Sequence, residues 1–222
     1  MRPGTFVAVA GNIGVGKTHL TTLLANHLGW RAYYEPVIDN PDVDDFYIDM
    51  GRWAFHVLVF FLSGRFEIHG EVVSSEEPCI QERAIYEDRE MFAHTLHAQG
   101  SMSDRDYKNY TALFDAMTSF LRTPDLVVYL RAGVDTLQER IRCRGRDCER
   151  EISSDYLEAL NRAYEDWCAR AALITEVLII DTEGLDLVQD EAAVERVLTK
   201  VVGRLGLTAR EDQPVGVGLE LA

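Results

Sequence analysis

Residues 11–18 read GNIGVGKT and follow directly on the apolar run at residues 5–10. They fit the phosphate-cradling pattern Gly-x-x-x-x-Gly-Lys-Ser/Thr, with Gly11, Gly16, Lys17 and Thr18 at its defining positions. The flanks constrain the fold as strongly as the motif. A short β-type run precedes the loop, and Leu20, Leu23, Leu24 and Leu28 recur after it at helical spacing. A strand, a glycine-rich loop and a helix in that order open an α/β fold. They also bring the loop backbone, Asn12, Gly14 and Val15 included, to a helix N-terminus, where N–H groups and the helix dipole favour phosphate oxygens. Lys17 is placed to reach the outer phosphates, and the Thr18 hydroxyl to ligate Mg²⁺. A dinucleotide-binding turn is the competing use of three such glycines. Its G-x-G-x-x-G order is absent, and Lys-Thr has no role in it. The loop predicts binding of a nucleoside triphosphate.

At 222 residues the chain is long enough for one well-buried α/β domain and short for two. That domain is expected over residues 1–206, with residues 207–222, which include Pro214 and lie beside several glycines, as a flexible C-terminal tail. The net charge of −15 argues against a nucleic-acid backbone or an anionic membrane as partner. An acidic chain that grips triphosphate needs local positive clusters, and these stand at Lys17 and between Arg140 and Arg150. A strand begins within five residues of the N-terminus, which leaves no room for a signal peptide. The longest apolar run, residues 53–62, contains His56 and is too short to span a bilayer. Cys79, Cys143, Cys148 and Cys168 form no metal or disulfide framework. The expectation is a reduced, cytoplasmic protein.

Five short runs rich in Val, Ile, Leu and Tyr read as buried strands, at residues 6–10, 31–34, 79–82, 126–131 and 177–181. Helical patterns cover residues 17–28, much of 51–73, 84–98, 104–121, 134–142, 154–173 and 189–204. This alternation predicts a parallel sheet covered on both faces. In such sheets ligands sit outside the carboxyl ends of the strands. The chemistry is therefore expected just after each strand: the GNIGVGKT loop after the first, Glu35-Pro36 after the second, Glu82-Arg83 after the third. The fourth strand feeds a helix that ends in RCRGRDCERE, residues 142–151.

Phosphoryl transfer to a hydroxyl needs a phosphate cradle, Mg²⁺, a proton acceptor and cations for the developing charge. Glu35 is the natural acceptor, a carboxylate at the end of a strand that points at the γ-phosphate; a surface Glu before a proline turn is the plainer reading. Glu82 suits a role toward Mg²⁺ or its waters and Arg83 one toward the transferred phosphate, against an ordinary ion pair at a strand end. Arg140, Arg142, Arg144, Arg146 and Arg150 form either a solvated charged face or, given the phosphate loop, a lid that closes over the phosphates. Arg140 and Arg144 share one helical face. Tyr47, Trp53, Phe60 and Phe92 divide between core packing and a base-binding cleft. His56, His94 and His97 have no partner set that suggests metal or acid–base work.

Taken together these residues resemble the deoxynucleoside kinase family, and most closely its bacterial deoxyadenosine/deoxyguanosine kinase branch. Four motifs carry the resemblance in order: GNIGVGKT, Glu35-Pro36, QERAIYEDRE at residues 81–90, and the lid RCRGRDCERE. The segment DDFYIDMGRWAF, residues 44–55, is similar to the family's substrate-site helix entry. The resemblance implies a P-loop kinase fold: an α/β protein with a five-stranded parallel sheet, helices on both faces and an Arg-rich lid. It implies phosphorylation of a deoxynucleoside 5′-hydroxyl by ATP with Mg²⁺. Glu35 matches the general base, Arg83 the arginine on the 5′-oxygen and transferred phosphate, and Glu82 its acidic neighbour near Mg²⁺. Tyr47 and Glu149 match the pair on the sugar 3′-hydroxyl, Asp88 the base-selecting carboxylate, and Phe92 the ring that stacks on the base. Arg140, Arg144 and Arg146 match the phosphate-clamping lid. A homodimer is the family's usual assembly.

Two positions depart from the family pattern. Leu58 stands where a Gln usually pairs with the base edge, and Ala84 where a Ser usually follows the third-strand arginine. A buried Leu neither donates nor accepts, so the base is read differently or less strictly here. Asp88 and the branch resemblance favour a purine deoxynucleoside, with deoxyguanosine and deoxyadenosine unresolved. A nucleoside monophosphate kinase of the thymidylate kinase type is the enzymatic alternative, although its phosphorylated acceptor calls for cations where Glu35 supplies a carboxylate. A non-catalytic nucleotide switch is the alternative of another class. The sequence has no Asn-Lys-x-Asp guanine-reading motif, and a pure switch leaves the lid arginines without a purpose. Shikimate-type kinases, which share the cradle, stand further off.

Overall fold

Six consecutive buried residues, Phe6–Gly11, form the central strand β1 of the computed structural model, which describes residues 4–34 and 41–207. A strand without an exposed face must be covered on both sides, and this one is flanked by strands as well. β2 (Arg31–Tyr33), β3 (Cys79–Glu82), β4 (Leu126–Arg131) and β5 (Glu176–Asp181) complete a sheet in the order β2-β3-β1-β4-β5. All four pairings are parallel, with Val9 opposite Glu82 and Val128 in the two flanking strands and Tyr33 opposite Gln81. The chain leaves β1 toward β2 and returns past β1 after β3. Right-handed crossovers in opposite directions put their helices on opposite faces and leave a crevice at the carboxyl ends of β1 and β3.

The connecting helices are α1 (Lys17–Leu28), α2 (Val43–Ile48), α3 (Met50–Ser74), α4 (His94–Ala98), α5 (Asp104–Thr118), α6 (Val134–Arg144), α7 (Ser154–Ala171) and α8 (Glu191–Arg204). The P-loop kinase architecture expected from the sequence is the one observed, with its strands within a residue of the predicted bounds. α7 shows why its sequence folds as it does. Ser153 caps it by accepting the Tyr156 N–H, and Tyr156, Leu157, Leu160, Tyr164, Trp167 and Cys168 bury one stripe. Full burial of a side chain such as Leu160 contributes about 1.5–3 kcal/mol. Tyr164 stacks on Tyr129 of β4 at 5.6 Å between ring centroids, which locks the helix to the sheet.

Two stretches differ from the sequence expectation. α2 is only six residues long, with Phe46 its one buried residue, so it offers too little periodicity to be seen in the sequence. Its acidic first turn, Asp44 and Asp45, suits a helix N-terminus. The single helix expected over residues 84–98 is instead a turn, then a π-helical turn at Asp88–Ala93, then α4. The wide turn coincides with buried Asp88 and Met91, and π-turns of this kind collect at functional sites. Among the described residues no helix is long and apolar enough to cross a membrane. Cys79, Cys143 and Cys168 are free thiols. The expected tail lies outside the described residues except for Leu207.

Candidate active site

The loop after β1 is shaped by close approach. A Cβ on Gly11 would stand 2.6 Å from the Leu130 carbonyl oxygen and 2.9 Å from Val15 Cγ1, so no side chain fits. Gly16 meets nothing within 4 Å; its constraint is φ of 101°, the left-handed conformation that turns the chain into α1. Asn12 fastens the loop from behind. Its amide donates to the Leu157 carbonyl and to Asn161 Oδ1, both at 2.8 Å, and its own Oδ1 accepts the Ile13 N–H at 2.7 Å. Lys17 is buried and donates through Nζ to the Asn12 carbonyl at 2.9 Å, lying back across the loop it serves. Val15 is buried, and Gly14 lines the cleft.

Beside the loop, the end of β3 carries two charged groups. Thr18 Oγ1 donates to Glu82 Oε1 at 2.7 Å, which joins the first turn of α1 to β3. The two oxygens are hard ligands at the mouth of a phosphate cradle, a donor set that fits Mg²⁺. The described residues hold no group of three or more His, Cys, Asp and Glu side chains suited to a metal. Mg²⁺ in phosphoryl-transfer sites needs none, because substrate phosphates and water supply its remaining ligands. Arg83 follows with φ of 54°, the one non-glycine residue at positive φ among the described residues. Its guanidinium is buried and sits over the Phe92 ring, 4.5 Å from the centroid.

These elements open into a cleft of about 260 Å³. Lys17, Thr18, Glu82 and Arg83 line it, and so do Tyr47, Leu58, Asp88, Phe92, Arg144, Arg146 and Glu149. Asp88 has no exposed surface and pairs with Arg65 of α3, itself buried. Glu149 is buried at the lid end and accepts from Arg144 Nε at 3.0 Å and from Arg146 Nη1 at 3.5 Å. Burial pushes the hydroxyl of cleft-lining Tyr156 above its ordinary range, against the pull of Arg83. Phosphate-facing and base-facing candidates thus share one cavity.

Several expectations are revised. Arg140 does not line the cleft. It donates to the Val15 carbonyl at 3.3 Å, to Thr182 Oγ1 at 3.0 Å and to the Thr182 carbonyl at 2.8 Å. Here it braces the phosphate loop against the segment after β5, and among the three expected lid arginines only Arg144 and Arg146 face the cavity. Phe61, not Phe60, lines the cleft, and Trp53 packs against His56 with ring centroids 5.4 Å apart. Glu35 and Pro36 lie outside the described residues. Tyr34, the last described residue before them, lines the cleft, its hydroxyl 3.0 Å from Thr22 Oγ1. Arg65 was not anticipated. Its signal was present, since it falls on the stripe of Ala54, Val57, Leu58 and Leu62 that α3 buries, where a lone cation needs a partner.

The deoxynucleoside kinase family matches this chain over residues 7–205. The deoxyadenosine/deoxycytidine kinase of Bacillus subtilis (strain 168) is 37% identical over 199 residues, covering 89% of this chain and 91% of that one. The deoxyguanosine kinase of the same organism is 30% identical over 204 residues, covering 90% and 98%. The solved structure of deoxyadenosine kinase from M. mycoides with the products dCMP and a flexible dCDP bound superimposes with a TM-score of 0.80 at 26% identity, covering 90% of this chain and 100% of that one. With a phosphate loop, an Arg-rich lid segment and a buried carboxylate in one cleft, and a match across nearly the whole length, this chain belongs to the deoxynucleoside kinase family.

Proposed function

We propose that this protein transfers the γ-phosphoryl group of Mg·ATP to the 5′-hydroxyl of a purine deoxynucleoside, deoxyadenosine or deoxyguanosine. The observation that carries the reading is the continuity of the cleft, in which Lys17, Thr18 and Glu82 share one cavity with the buried Asp88 and the Phe92 ring. Lys17, Arg144 and Arg146 offset the charge that develops on the transferred group. Thr18 and Glu82 would hold Mg²⁺, which would supply positive charge against the outer phosphates. Glu35 takes the proton from the 5′-hydroxyl, and Arg83 holds that oxygen in line. Tyr47 and Glu149 bind the sugar 3′-hydroxyl. Phe92 stacks on the base, and Asp88, oriented by Arg65, reads a base N–H. The relative from M. mycoides holds dCMP and dCDP, the pair left when one phosphoryl group passes from a triphosphate to a nucleoside, and this supports the direction of transfer.

The test is a phosphorylation assay with ATP against deoxyadenosine, deoxyguanosine, deoxycytidine, thymidine and dTMP. The expected result is highest kcat/KM on a purine deoxynucleoside, with activity lost in excess EDTA. Activity confined to dTMP would move the chain to the monophosphate kinases. A homodimer in a reduced, cytoplasmic setting is part of the same proposal, and light scattering of the purified chain tests the assembly.

Leu58 lines the cleft almost fully buried, where an amide would meet the base edge. Leu58→Gln is expected to change the kcat/KM ratio between the best and second-best deoxynucleoside by about tenfold or more, since a polar group buried against a base is either paired or costly. An unaltered ranking in the same assay removes position 58 from base reading.

A further inference from the structure

Glu87 is a fully buried carboxylate that stands behind the cleft without lining it. It closes the turn after β3 twice over. Its Oε1 accepts the Ala84 N–H at 2.9 Å, while its own N–H donates to the Ala84 carbonyl at 3.0 Å. The residue before Ala84 is Arg83, whose left-handed conformation is strained for a non-glycine residue and persists only where its surroundings enforce it. The Arg83 N–H donates to the Val9 carbonyl at 3.0 Å, so the strained residue is pinned on one side by β1 and on the other by Glu87. Glu87 Oε2 accepts the Tyr164 hydroxyl at 2.6 Å. Tyr164 belongs to α7, the helix whose Leu157 carbonyl and Asn161 fasten Asn12 of the phosphate loop. One rigid helix therefore fixes both the cradle and the turn that presents Arg83.

We propose that Glu87 is a positioning residue for phosphoryl transfer, its ionised carboxylate clamping the strained Arg83 turn and supplying the buried anion that holds Arg83 and Lys17 as aligned cations. The inference rests on the roles given above to Arg83 and Lys17. Three cations face Glu87: Arg83 from the turn, Lys17 from α1 and Arg65 from α3. Tyr164 and Cys168 face it from α7. Cations gathered in a buried site repel one another until phosphate arrives, and a fixed carboxylate among them removes that cost beforehand. Both Glu87 oxygens accept hydrogen bonds, from the Ala84 N–H and the Tyr164 hydroxyl, which favours the ionised form. Burial nonetheless holds the group above the usual carboxylate range, against the opposing pull of Arg83, the Tyr164 hydroxyl, Lys17 and Arg65.

Glu87→Gln keeps the side-chain volume and removes the charge. Its kcat is expected to fall on the order of 10- to 100-fold, as a misaligned reacting group does, with KM for the deoxynucleoside and affinity for ATP shifting by less than about threefold. Tyr164→Phe removes one hydrogen bond that favours the carboxylate, so the Glu87 pKa rises and the acid limb of the kcat–pH profile moves to higher pH. A purely structural Glu87 would move neither readout. A Glu87→Gln enzyme within about twofold of wild-type kcat overturns the assignment, as does an unmoved acid limb in Tyr164→Phe. The second variant decides the matter if the first does not fold. Failure of the wild-type protein to phosphorylate any deoxynucleoside would instead overturn the functional reading beneath it.

Discussion

Glu35→Gln is expected to lower kcat by about 10²- to 10⁴-fold, the contribution of a positioned general base, with ATP affinity nearly unchanged. The acceptor is a neutral hydroxyl, a weak nucleophile until its proton has somewhere to go. The sheet limits which carboxylate can receive it. β2 lies beside β3, with Tyr33 opposite Gln81, so the chain leaves β2 next to the strand end that presents Glu82 and Arg83. Tyr34, one residue before Glu35, already lines the cleft. Glu82 is less suited to the task, because its Oε1 is held by the Thr18 hydroxyl at the phosphate loop. Gln preserves size and hydrogen bonding while abolishing basicity, so a loss confined to turnover isolates proton transfer from binding. Steady-state kinetics, with calorimetric titration of a non-hydrolysable ATP analogue, separate the two. A Gln variant that turns over within about threefold of wild type would take the base role from Glu35.

Most of the strand–helix alternation was legible in the sequence because the sheet is parallel and buried. Continuous runs such as FVAVA at residues 6–10 have no other stable place in a chain of this composition. That charged residues at the strand ends gather beside the phosphate loop was legible for the same topological reason. Glu82, Arg83 and the phosphate loop had to meet once β1 and β3 were neighbours. What stayed hidden depends on contacts that no local pattern encodes. Glu87 sits in an ordinary charged stretch, YEDRE, and only the fold reveals that the first of those acids is buried against Tyr164 while Arg89 faces outward toward Asp115. Arg140 shares the lid's sequence pattern with Arg144, yet the carbonyls of Val15 and Thr182 capture it. Helical spacing can say that two side chains share a face, but not which of them has a better partner elsewhere. The π-helical turn at Asp88–Ala93 likewise coincides with the burial of Asp88 against Arg65, a contact between residues 23 positions apart.

That pair carries the second large effect. Arg65→Met is expected to destabilise the fold by about 3–5 kcal/mol, because it leaves a carboxylate buried without its cation. The relative exposures of the two side chains, 3% and 0%, leave almost no solvent to screen the loss. Against a total stability of roughly 5–15 kcal/mol this is a large fraction, and it corresponds to a fall in Tm of about 6–20 °C for a chain of this size. Asp88→Leu should also destabilise the fold, because Arg65, 5.0 Å from the Phe61 ring centroid, then loses its paired carboxylate. The double variant Arg65→Met/Asp88→Leu is expected to recover most of the loss, since a buried ion pair exchanged for apolar side chains of similar volume is close to neutral. Urea denaturation of the four proteins gives the coupling directly. Additive losses in the double variant would mean that the two charges do not depend on each other. Stability and function part company in that double variant: a folded protein with intact ATP affinity but a raised KM for the deoxynucleoside and a flattened preference among bases. Such a result would mark the ion pair as costly machinery for reading the base, kept although an apolar core would hold the fold equally well.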